Sequence, residues 1–192
     1  FKKAIKIDSK HPDSYVNLGL IYYYEDDFSK AEKNYLKGYK IIPNSFTVNF
    51  NLGILYYRLK NFLDAEKYYA KAVEINPNHS AANNDLGNVY DELGQLDEAE
   101  KFYLKAIEID PLNSTIYNNI AILYNKQGKH DKAKTNYLKF IEINPEDASV
   151  YINLGNLYYN SDFSLVLKYY GKAAQLGHQG AQQWLKDNGY SW

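Results

Sequence analysis

The feature that most constrains this chain is a step of 34 residues. A small residue returns at Gly19, Gly53, Gly87, Ala121 and Gly155, an alanine at Ala31, Ala65, Ala99 and Ala133, and a proline at Pro43, Pro77, Pro111 and Pro145. Tyrosine keeps two registers of its own: Tyr22, Tyr56, Tyr90, Tyr124 and Tyr158, and Tyr35, Tyr69, Tyr103 and Tyr137. One period, SAANNDLGNVYDELGQLDEAEKFYLKAIEIDPLN at 80–113, reads as two amphipathic helices and a turn closed by Pro111. A helix pair of this size buries its apolar face only against neighbouring pairs, so the repetition calls for one continuous stack rather than separate globular domains.

These registers resemble the tetratricopeptide repeat (TPR), whose signature sets aromatic, Leu-Gly, Tyr, Ala, Phe/Tyr, Ala and Pro at the same offsets. The resemblance implies an all-α fold, a right-handed superhelical solenoid of antiparallel helix pairs. It divides the chain into a partial repeat at 1–11, full repeats at 12–45, 46–79, 80–113 and 114–147, a divergent repeat at 148–177, and a capping helix and tail at 178–192. Residues 1–8, FKKAIKID, match the last half of a second helix, with Phe1 in phase with Tyr35 and Ala4 with Gly38, so the chain as given is expected to start inside a repeat. In the first full repeat the helices are expected near 13–25 and 28–41. The short loops fall at Asp26-Asp27, Lys60-Asn61, Gly94-Gln95 and Gly128-Lys129, and Gly94 and Gly128 suit a left-handed helix end. In the fifth unit the turn loses one residue, Phe163 takes the role of Phe28, and KAAQLGHQGAQQWLKDNG resembles the end of a Sel-one-like repeat. A last helix near 178–188 should cover the end of the stack with Ala181, Trp184 and Leu185.

A helix turns about 100° per residue, which sorts the first helix of each repeat into faces. With each repeat numbered from 1 to 34, positions 4, 7, 8 and 11 share a side that should pack on the second helix of the same unit; in the first repeat these are Tyr15, Leu18, Gly19 and Tyr22. Position 10 is apolar throughout, as Ile21, Leu55, Val89, Leu123 and Leu157, and should turn toward the adjacent repeat. Positions 2, 5, 6, 9, 12 and 13 lie roughly opposite the first side, and by the family resemblance that side lines a concave groove.

Position 6 reads Asn17, Asn51, Asp85, Asn119 and Asn153, one polar side chain per repeat. An amide both donates and accepts, so such a ladder suits the backbone of an extended peptide. It resembles the asparagine ladder in the repeats of O-linked N-acetylglucosamine transferase; nothing in the chain resembles that enzyme's catalytic part. Local capping or bridging of helices by asparagine is the other reading of these side chains. The groove also carries Tyr24, Phe50 and Tyr57, suited to an apolar or aromatic side chain of a ligand, and Asp85, Asp91 and Glu92, suited to its Lys or Arg. Tyr23, Tyr24 and Tyr57 could equally serve to cover helix ends.

Other chemistry is not called for. The formal net charge is −1, which favours neither nucleic acid nor an anionic membrane, and no apolar run is long enough for membrane insertion. Cysteine is absent. His11, His79, His130 and His178 fall in or beside predicted loops, read as solvated, without the convergence a metal site needs. No catalytic residues, cofactor or metal are expected. The chaperone-tail clamp of some family members needs Lys or Arg at positions 2, 5 and 6, and none stands there, which argues against acidic chaperone tails as ligands. The expected function is a protein–protein interaction scaffold that holds an extended segment of a protein or peptide partner. The alternatives are a structural or self-associating module, including a homo-oligomer, and the substrate-recruiting arm of a larger enzyme such as a glycosyltransferase.

Overall fold

A computed structural model describes residues 12–192, and the expected partial repeat at 1–11 lies outside the described residues. The described residues form eleven α-helices and no strand. The chain divides into two compact units, Phe1–Ile109 and Asp110–Trp192. The first holds α1 (Pro12–Tyr24), α2 (Phe28–Ile41), α3 (Phe46–Arg58), α4 (Phe62–Ile75), α5 (Ser80–Glu92) and α6 (Leu96–Ile109). The second holds α7 (Ser114–Lys126), α8 (His130–Ile143), α9 (Ala148–Leu157), α10 (Phe163–Gln175) and α11 (Gln179–Asp187). Consecutive helices pair as hairpins, α1 with α2, α3 with α4 and α5 with α6 in the first unit, α7 with α8 and α9 with α10 in the second, where α11 lies against α10.

Side chains chosen for their hydrogen bonds set the helix starts. Asp27 accepts from Lys30 N at 3.1 Å, and Asn61 accepts from Asp64 N at 3.4 Å. Two of the histidines do the same work, which corrects the expectation of solvated loop side chains. His79 Nδ1 accepts from Ala82 N at 3.2 Å and His178 Nδ1 from Ala181 N at 3.0 Å, and both residues are half-buried. An imidazole nitrogen placed before the first turn satisfies an orphan backbone N–H as a carboxylate or amide would. His130 is exposed with Nδ1 3.1 Å from Asn125 Oδ1, and His11 lies outside the described residues.

The turn within each of the first four pairs passes through the left-handed region at the same place, with φ of 56° at Asp26, 57° at Lys60, 73° at Gly94 and 71° at Gly128. Two repeats therefore use glycine there and two accept the cost of a side chain.

The repeated small residue admits a tyrosine ring from the second helix. A Cβ on Gly53 would lie 2.6 Å from Tyr69 Cδ1, on Gly87 2.8 Å from Tyr103 Cδ1, and on Gly155 2.7 Å from Tyr170 Cδ1. Tyr69 shares one buried cluster with Val48, Leu52, Leu55, Leu86 and Val89 in the first unit, and Tyr103 and Tyr170 are buried as well. Position 10 is fully buried at Leu55, Val89 and Leu123, whereas Ile21, in the first described pair, is exposed and Leu157 half-buried.

Position 4, where Tyr15 lies under Lys37 of the second helix of its own pair, also reaches back to the loop before its repeat. Asn49 Nδ2 donates to Pro43 O at 2.8 Å and Asn83 Nδ2 to Pro77 O at 3.1 Å. Tyr117 and Tyr151 donate their hydroxyls to Pro111 O at 3.1 Å and Pro145 O at 3.0 Å. Each closing proline thus has its carbonyl tied down by the next repeat, in a loop whose backbone has no helical partner to offer it. Tyrosines at position 11 add ties between successive pairs: Tyr56 OH donates to Glu32 Oε1 at 2.7 Å, Tyr90 bonds Glu66 and Tyr158 bonds Lys134.

The fifth pair is shorter in its first helix, and α10 opens at Asp162, whose carboxylate accepts from Ser164 N and Leu165 N. In α11, Ala181 and Leu185 are buried, and the Trp184 ring stands edge-on to Tyr170 at 4.7 Å.

Candidate functional site

Three first helices of the first unit bring their groove-side positions to one pocket of about 480 Å³. Tyr23 comes from α1, Ile54, Tyr57 and Arg58 from α3, and Asp85 and Asn88 from α5. Tyr69 of α4 completes the lining. Of the residues expected to carry binding, the pocket therefore gathers Tyr57 and Asp85. It adds Tyr69, which the repeat pattern marks only as a core tyrosine, and Arg58, the one arginine of the chain.

Asp85 governs the electrostatics. Burial pushes its carboxyl up to about 6, against hydrogen bonds from Asn84 and Tyr69 that favour the charge. Asn84 Nδ2 lies 3.1 Å from Asp85 Oδ1. The same surroundings act on the rings. Burial raises the Tyr57 hydroxyl above the usual phenol range, helped by Glu92, Asp85 and Asp91, and raises Tyr69 further. Asp91 and Glu92 thus reach the pocket through their charge, although neither lines it.

The pocket's tyrosines also cover helix ends, the plainer reading of them. Tyr23 packs on Phe28 at 5.7 Å and Tyr57 on Phe62 at 5.6 Å, each ring over the start of the next helix. Both roles fall to the same side chains. Tyr24 stands outside the pocket and is 77% exposed, edge-on to Tyr23. Phe50 sits beside the pocket in an aromatic group, stacked on Phe46 at 5.4 Å and against Tyr69 and His79.

All five residues of position 6 are half-buried. Asn51 Nδ2 donates to Thr47 O at 2.9 Å, one turn back in its own helix. Asn153 Nδ2 donates to Asn118 Oδ1 at 3.1 Å, bridging α9 to α7. Local bridging is therefore present in the ladder, and it engages one N–H of each of these two amides. Position 9 also has amides in use: Asn88 Oδ1 accepts from Tyr103 OH at 2.8 Å and Asn156 Oδ1 from Tyr170 OH at 2.6 Å. Among the described residues no helix is long and apolar enough to cross a membrane, and no group of three or more His, Cys, Asp or Glu side chains could hold a metal.

Family profiles described as tetratricopeptide repeat match residues 12–45, 44–111 and 102–135, and one described as TPR repeat matches 123–162. The chain belongs to the tetratricopeptide-repeat family. No curated protein matches it. Among solved structures it is similar to Pseudomonas aeruginosa PilF, at 22% identity and a TM-score of 0.78 over 92% of this chain and 85% of that one. It is similar to YrrB, described as a TPR protein with an unusual peptide-binding site, at 19% identity and 0.78 over 97% of each chain. It is also similar to MamA, at 23% identity and 0.78 over 94% of this chain and 97% of that one. At such identities the likeness establishes a TPR fold and leaves function to the residues of the site.

Proposed function

We propose that these repeats are a non-enzymatic scaffold that holds an extended segment of a partner protein on the first-helix face. TPR proteins in general mediate protein–protein interactions. The observation that carries the reading is the pocket where positions 6, 9 and 12 of successive first helices converge, with Asp85, Ile54, Asn88, Tyr23 and Tyr57 in its lining. The amides that stand at position 6 in four of the five repeats add backbone recognition, in a phase like that of the O-linked N-acetylglucosamine transferase repeats. Asn51 spends one N–H on Thr47 and keeps a second N–H and its oxygen for a bound strand. Rigid helices that present such groups in advance lose little freedom on binding. The peptide-binding site named for YrrB is consistent with this use of the fold. The stretch KAAQLGHQGAQQWLKDNG at 172–189 reads as the end of a Sel-one-like repeat, and the helix within it serves as a cap.

The test is a selection of displayed random dodecapeptides on the full chain, followed by affinity measurement against a variant with Asn17, Asn51, Asn119 and Asn153 all changed to Ala. Enriched peptides should bind the variant at least about tenfold more weakly, the scale of losing several backbone hydrogen bonds. Equal binding to the two proteins would remove the ladder from the site.

A further inference from the structure

We propose that the pocket in the first unit is a specificity pocket for one positively charged side chain, a lysine or arginine of the bound segment. The inference rests on the groove reading above and assigns what one position of the ligand must be. The walls are three tyrosine rings, Tyr23, Tyr57 and Tyr69, with Ile54. Aromatic faces attract a cation and the aliphatic stem of a long basic side chain alike. Asp85 supplies the opposite charge. It takes hydrogen bonds from Asn84 and Tyr69, both neutral, and a carboxylate has room for further donors.

Among the described residues no cation is paired with that carboxylate. Helix α5 carries Asp85, Asp91 and Glu92 and contains neither Lys nor Arg. Arg58, the one cation in the lining, stands at the last residue of α3 and forms no ion pair among the described residues. The helix carbonyls at that end hold its charge favourably without Asp85. A purely apolar occupant would strip water from Asp85 and return nothing, and an acidic one would be repelled by it. A basic side chain is the occupant that pairs the buried charge and fills the aromatic walls.

The experiment repeats the dodecapeptide selection at pH 7.5 on the full chain and on Asp85→Asn. Asparagine stands at the same position in the other four repeats, so the variant keeps the ladder, and circular dichroism confirms that it folds. The expected result is a fixed Lys or Arg in the peptides enriched on the parent chain and no such preference on the variant. A representative peptide should bind Asp85→Asn about tenfold or more weakly, as for loss of one partner of a buried charge pair. Enriched peptides with no basic position, or with a basic position that persists on Asp85→Asn, would overturn the pocket assignment. The groove reading survives that result if the same peptides still lose affinity for the four-asparagine variant. Peptides indifferent to both variants, or a library that enriches nothing above background, would overturn both.

Discussion

Replacing Asp85 by asparagine should stabilise the protein, by an amount that depends on pH. The carboxyl is pushed up to about 6 in the folded chain from an ordinary value of 3.8, chiefly by burial. The folded state therefore keeps the proton over a window, about pH 4 to 6, in which the unfolded state has released it. A state that holds more protons loses ground as pH rises, so this group lowers stability progressively through that window and stays flat above it. A gap of about two pH units at 1.36 kcal/mol each corresponds to roughly 3 kcal/mol when complete. Asn84 and Tyr69 bond the carboxyl, Arg58 and Tyr57 share its pocket, and Asp91 and Glu92 act alongside it on Tyr57 and Tyr103. The three tyrosines are pushed upward and stay neutral throughout the window. Asparagine can accept the Tyr69 and Asn84 hydrogen bonds and has no charge to bury. Urea unfolding of both proteins across pH 4 to 7.5 should give nearly equal stabilities at the acid end. At pH 7.5 the variant should lead by about 1.5–3 kcal/mol, with the m-value unchanged. A gap that does not vary with pH, or a variant weaker at pH 7.5, would refute the claim that Asp85 is a buried, poorly compensated charge.

Three further substitutions test the packing. Gly87→Ala places a Cβ 2.8 Å from the Tyr103 ring, whose hydroxyl is tied to Asn88. The crowding should outweigh the helix-propensity gain of about 1 kcal/mol and leave a net loss of about 1–2 kcal/mol in urea unfolding. Asn83→Ala removes the donor to Pro77 O and His79 O and should cost about 1–3 kcal/mol, read from the same midpoints. Lys60→Gly relieves a left-handed side chain and should raise stability by about 0.5–1 kcal/mol in thermal unfolding.

Much of the fold was legible because the step of 34 fixes residues whose roles are steric. Gly87 and its equivalents mark where a tyrosine ring must lie against backbone, and Gly94 and Gly128 mark left-handed turns. The clasp on the prolines was not legible, because Asn49, Asn83, Tyr117 and Tyr151 look unrelated in sequence and share only the reach of a donor to the same carbonyl. The histidine caps were missed for a similar reason: an imidazole is an uncommon but sufficient acceptor at a helix start. On the candidate site, helical phase put Tyr57 and Asp85 on one face of the first helices. It could not bring in Tyr69, whose hydroxyl reaches that face from a second helix. Nor could it show that Phe50 is engaged with Phe46 and His79 while Tyr24 stands exposed.

The central claim is that a partner segment is held by the first helices. The most direct measurement is the set of backbone amide chemical shifts of the full chain, titrated with a peptide enriched by the displayed library. The account predicts shifts concentrated at Asn17, Asn51, Tyr57, Asp85 and Asn88, and little change at Leu104 and Leu138, the exposed leucines of α6 and α8. Shifts centred on those leucines, with the first-helix residues unmoved, would contradict it.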